Sequence, residues 1–167
     1  MQAIVCISEN WGIGIDGELL FHISADLKRF RELTTGKTVI YGRRTLATFP
    51  GGKPLEGRRN IILTHNETPI PGAELAHTPE EAVALAGNDA IVIGGASVYR
   101  QTFPWLDRVY VTQIDACPES DSFFPDLDAD PGWFVAEDGP WQSEDGVRYR
   151  FRTYCCRQAA APEASFS

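Results

Sequence analysis

Apolar residues fall along the chain in short, charge-poor runs separated by stretches of helical period. Residues 2–8 (QAIVCIS), 38–41 (TVIY), 58–64 (RRNIILT), 90–93 (AIVI) and 106–114 (LDRVYVTQI) hold such runs, rich in Val and Ile. Runs of this length read as strands buried on both faces, as in a largely parallel sheet. Helices are expected between them. Ser24 is a good N-cap, Leu27, Phe30 and Leu33 form an apolar stripe behind it, and Gly36 ends the pattern. A short helix follows Gly42 in GRRTLATF. Thr78, Pro79 and Glu81 open another that runs through Ala86 to Gly87. Ala96, Val98, Tyr99 and Phe103 keep an apolar face until Pro104.

Residues 9–24 (ENWGIGIDGELLFHIS), with glycines at 12, 14 and 17, read as a long loop. Ile13, Leu19, Leu20 and Phe21 would be out of place on a plain surface loop, so a lid over a pocket is expected. Residues 115–132 are acidic and Pro-containing loop. WFVAEDGPW and VRYRFRTYC pair as a closing antiparallel hairpin, with a bulge or loop at GPWQSEDG. This order predicts an α/β fold with a mostly parallel sheet and an antiparallel strand at its C-terminal end. One domain over residues 1–157 is expected, followed by a frayed tail over 158–167.

Composition narrows the partners. Of 167 residues, 43% are hydrophobic and 23% charged, which suits a soluble globule. The net charge of −8 argues against a nucleic-acid surface, and any phosphate site needs local cations. Lys37–Arg44 and Arg58–Arg59 supply the candidates. Cys6, Cys117, Cys155 and Cys156 lack CxxC spacing, and His22, His65 and His77 are far apart. No metal constellation emerges, and reduced thiols in a cytoplasmic protein are expected. The first residues, MQAIVCIS, lack the basic flank and long apolar core expected of a signal peptide, and no apolar run reaches membrane-spanning length.

The chemistry begins at AIVIGGASVY. A strand, two glycines and a helix let a ligand lie against bare backbone, near N–H groups that suit a phosphate. A tight strand–helix turn with no ligand has the same pattern. TVIYGRRT repeats the unit with two arginines at the helix start; cations there oppose the helix dipole, which favours an anion between them over a merely solvated pair. Asp26 stands in a first helical turn, where an acid needs no role beyond the dipole. Neither GxGxxG nor GxxxxGK[ST] occurs.

The motifs WGIG, ADLKRFRELT, VIYGRRT, PLEGRRNIILT, VIGGASVY, VYVTQIDA and DSFFPD, in this order over about residues 1–155, resemble the dihydrofolate reductases. The resemblance implies a single-domain, predominantly parallel eight-stranded sheet with a C-terminal antiparallel strand and about four helices. It also implies NADPH-dependent reduction of 7,8-dihydrofolate to 5,6,7,8-tetrahydrofolate, antifolate-type ligands and a monomer, with no nucleic-acid, membrane or metal partner. A pyrimidine reductase of the same fold from riboflavin synthesis need not keep Asp26, Thr112 and Arg58 together. A non-enzymatic pterin- or nucleotide-binding protein would not consume NADPH with dihydrofolate.

Carried over position by position, the resemblance assigns Asp26, Phe21, Leu19 and Thr112 to the catalytic group. Asp26 binds the pterin and Thr112 hydrogen-bonds the acid. Ile4, Val5, Leu27, Phe30, Phe49, Leu55 and Ile93 line the pterin pocket, and Arg58 pairs with the glutamate tail. Cys6, Ile13, Gly14 and Leu19 border the nicotinamide. Gly42, Arg43, Arg44, Thr45, Leu63, Thr64, His65, Gly94, Gly95, Ala96, Ser97, Val98 and Tyr99 hold the rest of the cofactor, with a cis Gly94–Gly95 peptide. Leu19-Leu20-Phe21 departs from the family's usual Leu-Pro-Trp, so the indole donor to an ordered water is missing. Ser24 and Leu46 also stand where Pro and Trp are frequent in the family, and Ser120 where one member has a glycine.

Overall fold

The computed structural model describes residues 1–157; the expected tail at 158–167 lies outside them. Twelve strands and four α-helices follow in the order β1 (Gln2–Ile7), β2 (Gly12–Ile15), β3 (Glu18–Leu19), α1 (Ser24–Thr34), β4 (Thr38–Gly42), α2 (Arg43–Leu46), β5 (Arg59–Leu63), β6 (Ala73–Ala76), α3 (Pro79–Ala86), β7 (Ile91–Gly94), α4 (Ala96–Thr102), β8 (Arg108–Ile114), β9 (Ser122–Phe123), β10 (Trp133–Asp138), β11 (Gln142–Glu144) and β12 (Val147–Cys156). The main sheet runs β10-β12-β8-β1-β7-β4-β5-β6, with short β11 paired to β12. From β8 to β6 every pairing is parallel. β12 is antiparallel to both β8 and β10. This is the expected mixed sheet, with eight strands in line.

The runs of Val and Ile fill both faces of that sheet. Ile40, Ile61, Val92, Val5 and Val111 join one core with Ala82 and Ala86 of α3 and Val98 and Tyr99 of α4. Val39, Tyr41 and Ile62 point the other way and pack with Leu46, Phe49, Leu55 and Ile93. The period of two along β4 therefore splits one apolar run between two cores. Thr78 caps α3 as expected, its side chain accepting from the Glu81 amide at 3.1 Å.

Three readings of the chain need correction. Residues 9–24 are not a structureless loop: β2 and β3 form a hairpin, and β9 adds a third strand on the other side of β2. The turn is Asp16-Gly17, with φ of 51° and 79°. Positive φ at both central residues is the type I′ condition, which the Asp-Gly pair meets. The stretch GPWQSEDG likewise contains β11, joined to β12 through Asp145-Gly146 with φ of 50° and 81°.

The third correction concerns α1. Ser24 lies inside the helix, and the apolar Ile23 at the cap position offers no acceptor. Glu144 of β11 supplies it instead, its two carboxylate oxygens accepting from the amides of Ser24 at 2.7 Å and Ala25 at 3.2 Å. An anion there satisfies two of the orphan donors and complements the positive end of the helix. The expected stripe is incomplete, because Leu27 is 54% exposed. Replacing Glu144 by Ala is expected to destabilise the fold by about 1 kcal/mol, as for loss of a helix cap. Urea denaturation should show a lower midpoint at an unchanged slope.

Candidate active site

The carboxyl ends of β1, β7, β4 and β5 lie along one edge of the sheet, because these strands are parallel neighbours. Open α/β sheets bind ligands at that edge. The two strand–glycine–helix units become adjacent there: Tyr41 is in register with Gly94, and Gly42 with Leu63. A Cβ on Gly42 would stand 3.2 Å from Val98 Cγ2, and one on Gly94 would stand 3.5 Å from Thr45 Oγ1. Gly94 has φ of 138°, a conformation that side chains resist, and its peptide bond to Gly95 is cis. Gly42, Thr45, Leu63, Gly94, Gly95, Val98 and Tyr99 are thus brought together.

The charge in this group is Arg43. Its Nη1 is buried and has no hydrogen-bond partner among the described residues. A buried donor left unpaired costs about 1–3 kcal/mol, more when charged, so the position calls for an anion. The helix-dipole reading of GRRT is weaker than expected, because α2 is a single turn of four residues. Arg44 and His65 are exposed, as is Ser97, whose hydroxyl accepts from Gln101. Ala96 stands beside it at the start of α4. Thr64 follows β5, its carbonyl 2.8 Å from His77 Nδ1. His77 was not among the expected site residues; its ring anchors the β5 terminus from the loop before α3.

The other half of the edge centres on Asp26. Thr112 of β8, fully buried, donates its hydroxyl to Asp26 Oδ1 at 2.6 Å. This joins α1 to the sheet beside β1, where Cys6 is in register with Thr112. Burial pushes the Asp26 carboxyl up from its ordinary value, against the opposing pull of the Thr112 hydroxyl and the Arg29 guanidinium. Burial, with Asp26 adding to it, pushes the Cys6 thiol well up, so it stays protonated and unreactive at neutral pH. Tyr99 donates to the carbonyl of Ile4 at 2.7 Å, tying α4 to β1.

The apolar members divide. Ile4, Val5 and Ile13 are buried. Cys6 and Phe21 pack with Ile23, Ile114 and Phe151, while Phe49, Leu55 and Ile93 belong to the Val39–Tyr41 core. Leu19, 59% exposed on β3, pairs with Gly14 of β2, and Leu27 is exposed next to Asp26. The hairpin carrying Leu19 is held at its turn by Asp121, whose carboxylate accepts from the Asp16 amide at 3.0 Å. The Asp121 amide donates in turn to the Gly14 carbonyl at 3.0 Å. Phe30 lies 5.9 Å under the Arg58 guanidinium. Arg58 donates to Thr34 Oγ1 at 3.2 Å and to the Glu56 carbonyl at 2.9 Å, which leaves its Nη2 without a partner among the described residues.

Two residues near Asp26 were missed. Glu144 caps its helix, and Arg29, three positions on, reaches the β8 carbonyl of Val111 at 3.0 Å. The spacing Asp26-x-x-Arg29 was visible as an i,i+3 pair on one helix.

Because the folded Asp26 carboxyl holds its proton more tightly than an unfolded one, its contribution falls as pH rises through the interval between the two values. Above that interval the cost is complete. Asp26→Asn is therefore expected to raise the urea midpoint relative to the parent at pH 7. The difference should vanish as pH falls below about 4, where the free carboxyl is protonated. Parallel denaturation series at the two pH values check the sign.

Comparison with known proteins agrees with this architecture. The family model for dihydrofolate reductase matches residues 1–156. Dihydrofolate reductase type 3 of Salmonella typhimurium is 36% identical over 152 residues, 89% of this chain and 92% of that protein. Dihydrofolate reductase of Neisseria meningitidis serogroup B is 37% identical over 155 residues, 90% and 94% of the two chains. Among solved structures, dihydrofolate reductase from Enterococcus faecalis complexed with NADP(H) and RAB-propyl superposes with a TM-score of 0.81 at 32% identity, covering 93% of this chain and 95% of that one. The chain belongs to the dihydrofolate reductase family.

Proposed function

We propose that this enzyme, an NADPH-dependent reductase of 7,8-dihydrofolate, works through Asp26 as the carboxylate that binds the pterin. The observation that carries this reading is the Thr112 hydroxyl on a half-buried Asp26 at 2.6 Å. Oδ1 is engaged by Thr112, which leaves Oδ2 for the amino group and N3 of a pterin. An ionised carboxylate there draws positive charge onto the ring and favours substrate protonated at N5. Leu27, Phe30, Phe49, Leu55, Ile93, Ile4 and Val5 supply apolar walls that keep water from competing with that contact. Phe21 maintains an aromatic wall but has no N–H to hold a water beside the acid.

Arg58 offers an incompletely paired guanidinium for the carboxylate of a glutamate tail. NADPH, when bound, supplies the hydride that adds to C6. Arg43, with its buried unpartnered Nη1, fits a phosphate of that cofactor. Arg44, His65 and Thr64 flank it, and Gly42, Thr45, Leu63 and the Gly94–Tyr99 segment would hold the dinucleotide backbone. Cys6, Ile13, Gly14 and Leu19 would border the nicotinamide. The protonated Cys6 thiol is neutral and adds no competing charge there. All these groups come from one chain, which supports action as a monomer. The same pocket would accept antifolate-type ligands. Among the described residues no helix is long and apolar enough to cross a membrane; together with thiols that form no disulfide, this supports the cytoplasmic reading.

Asp26→Asn is the test. It should leave NADPH binding intact and slow hydride transfer at pH 7 by on the order of 10²-fold, the scale of acid–base contributions. Single-turnover measurements giving near-parental rates would remove Asp26 from the chemistry. Arg58→Leu should weaken folate binding by about 1.5–3 kcal/mol, the worth of a charge-assisted pair. A pterin without the glutamate tail should bind almost as before; titration of both ligands makes the comparison.

A further inference from the structure

Arg29 is the unexplained cation of this site. It lies three residues after Asp26 on α1, so the two side chains leave the helix on neighbouring lines. Its Nη1 donates to the Val111 carbonyl at 3.0 Å, one residue before Thr112. The guanidinium is stacked 4.5 Å from the Phe151 ring centre and 5.6 Å from that of Tyr110. Among the described residues no carboxylate forms an ion pair with it, so its charge is not cancelled at short range. A half-buried cation held by a carbonyl and two rings, with no ion pair among the described residues, acts on the half-buried Asp26 of the same helix through partly screened space.

We propose that Arg29 is a positioning residue for this reaction: docked on Val111 and Phe151, its guanidinium stands as a fixed positive charge on the helix face that carries Asp26 and holds α1 against β8 beside Thr112. The proposal rests on the reading of Asp26 as the substrate-binding acid and names the group that maintains it. The charged and titratable groups around the pair give a clear sign. Asp26 is raised by its burial and lowered by the Thr112 hydroxyl and by Arg29. Cys6 on β1 and Tyr99 on α4 sense Asp26 but stay neutral near pH 7. Tyr110 on β8 and Glu137 on β10 act on Arg29 from the side of the sheet. Glu144 on β11 is spent on the Ser24 and Ala25 amides. Arg29 is thus the one cation among the described residues identified as opposing the burial of Asp26. The same side chain also pins α1 to β8 at the residue next to Thr112, so charge and geometry are delivered together.

The test follows the Asp26 carboxyl in the full chain by 13C NMR of aspartate-labelled protein, assigned by its loss in Asp26→Asn. Arg29→Gln should move the Asp26 titration midpoint up by about one pH unit, the lower end of the effect of a nearby opposite charge. The pH profile of kcat/KM for dihydrofolate should move the same way. Arg29→Lys keeps the charge and should recover most of the shift. Should Arg29→Gln fail to fold, Arg29→Met, which keeps an aliphatic stem against Phe151, carries the same expectation. An Asp26 midpoint unchanged in the folded neutral variant overturns the proposal. So does an Arg29→Lys midpoint displaced as far as that of the neutral variant, which would make Arg29 a packing residue only. These readouts are independent of the rate of Asp26→Asn: full activity in that variant would overturn the role of Asp26 and leave the electrostatic coupling standing.

Discussion

A carboxyl group partly withdrawn from water is the constraint around which this molecule is arranged. Asp26 receives one hydroxyl hydrogen bond, and burial still outweighs it. A bond to a charged group contributes about 1.5–3 kcal/mol. Full withdrawal of an ion from water costs several kcal/mol, and the half-buried Asp26 bears part of that cost. The rest of the fold offsets it, and the connections that do so are visible. Thr112 can hold its hydroxyl in place because it lies inside β8, between β1 and β12. The helix bearing Asp26 buries only Thr34 fully, so it is poorly held by apolar packing. It is held instead by polar links to the sheet: Thr112 to Asp26, Arg29 to Val111, and Glu144 to the first amides.

The parallel sheet does the rest of the placement. Strand direction fixes which end of each strand carries the turn into the following helix. Parallel neighbours therefore bring their turns to one edge whatever their distance in sequence. Gly42 and Gly94 lie fifty-odd positions apart, yet Tyr41 and Gly94 are register partners. Two short glycine turns that signify little separately become one continuous floor against which a phosphate-bearing ligand can lie. Arg43 sits at its rim with a donor that nothing else in the described chain uses. The acid side of the site, on β1 and β8, is the next stretch of the same edge.

How much of this is legible in the sequence depends on the range over which each signal acts. The buried strands were readable because their Val and Ile runs are local. So was the Thr78 cap, whose donor and acceptor are three residues apart. The parallel order and the proximity of the two glycine turns were implied by the alternation of strand and helix. Other features had a short-range signal that was outweighed. Asp16-Gly17 and Asp145-Gly146 are strong two-residue hairpin turns, but the strands beside them, β3 and β11, are only two and three residues long and show no alternation of their own. The α1 cap lay outside local reach: Ser24 looked suitable, and the acceptor comes from Glu144, 120 positions away. Likewise Arg29 reads as one more surface cation of a charged helix until Val111 and Phe151 are placed against it.

Several departures from ordinary folding rules fall among the candidate site residues. Leu19 and Leu27 are apolar and exposed, Arg43 holds a buried donor without a partner, and Asp26 holds a carboxyl where burial disfavours its charge. The unpaired Arg43 donor and the raised Asp26 carboxyl each cost the folded chain stability, and the proposed ligands offer the matching groups, an anion for one and hydrogen-bond donors for the other. Local consistency elsewhere makes these exceptions tolerable. Phe21 is the informative contrast. It packs against Ile23, Ile114 and Tyr149 and offers no hydrogen-bond donor. The polar and charged partners of the acid are groups that do not depend on that side chain: the Thr112 hydroxyl, and the guanidinium of Arg29 one helical turn along.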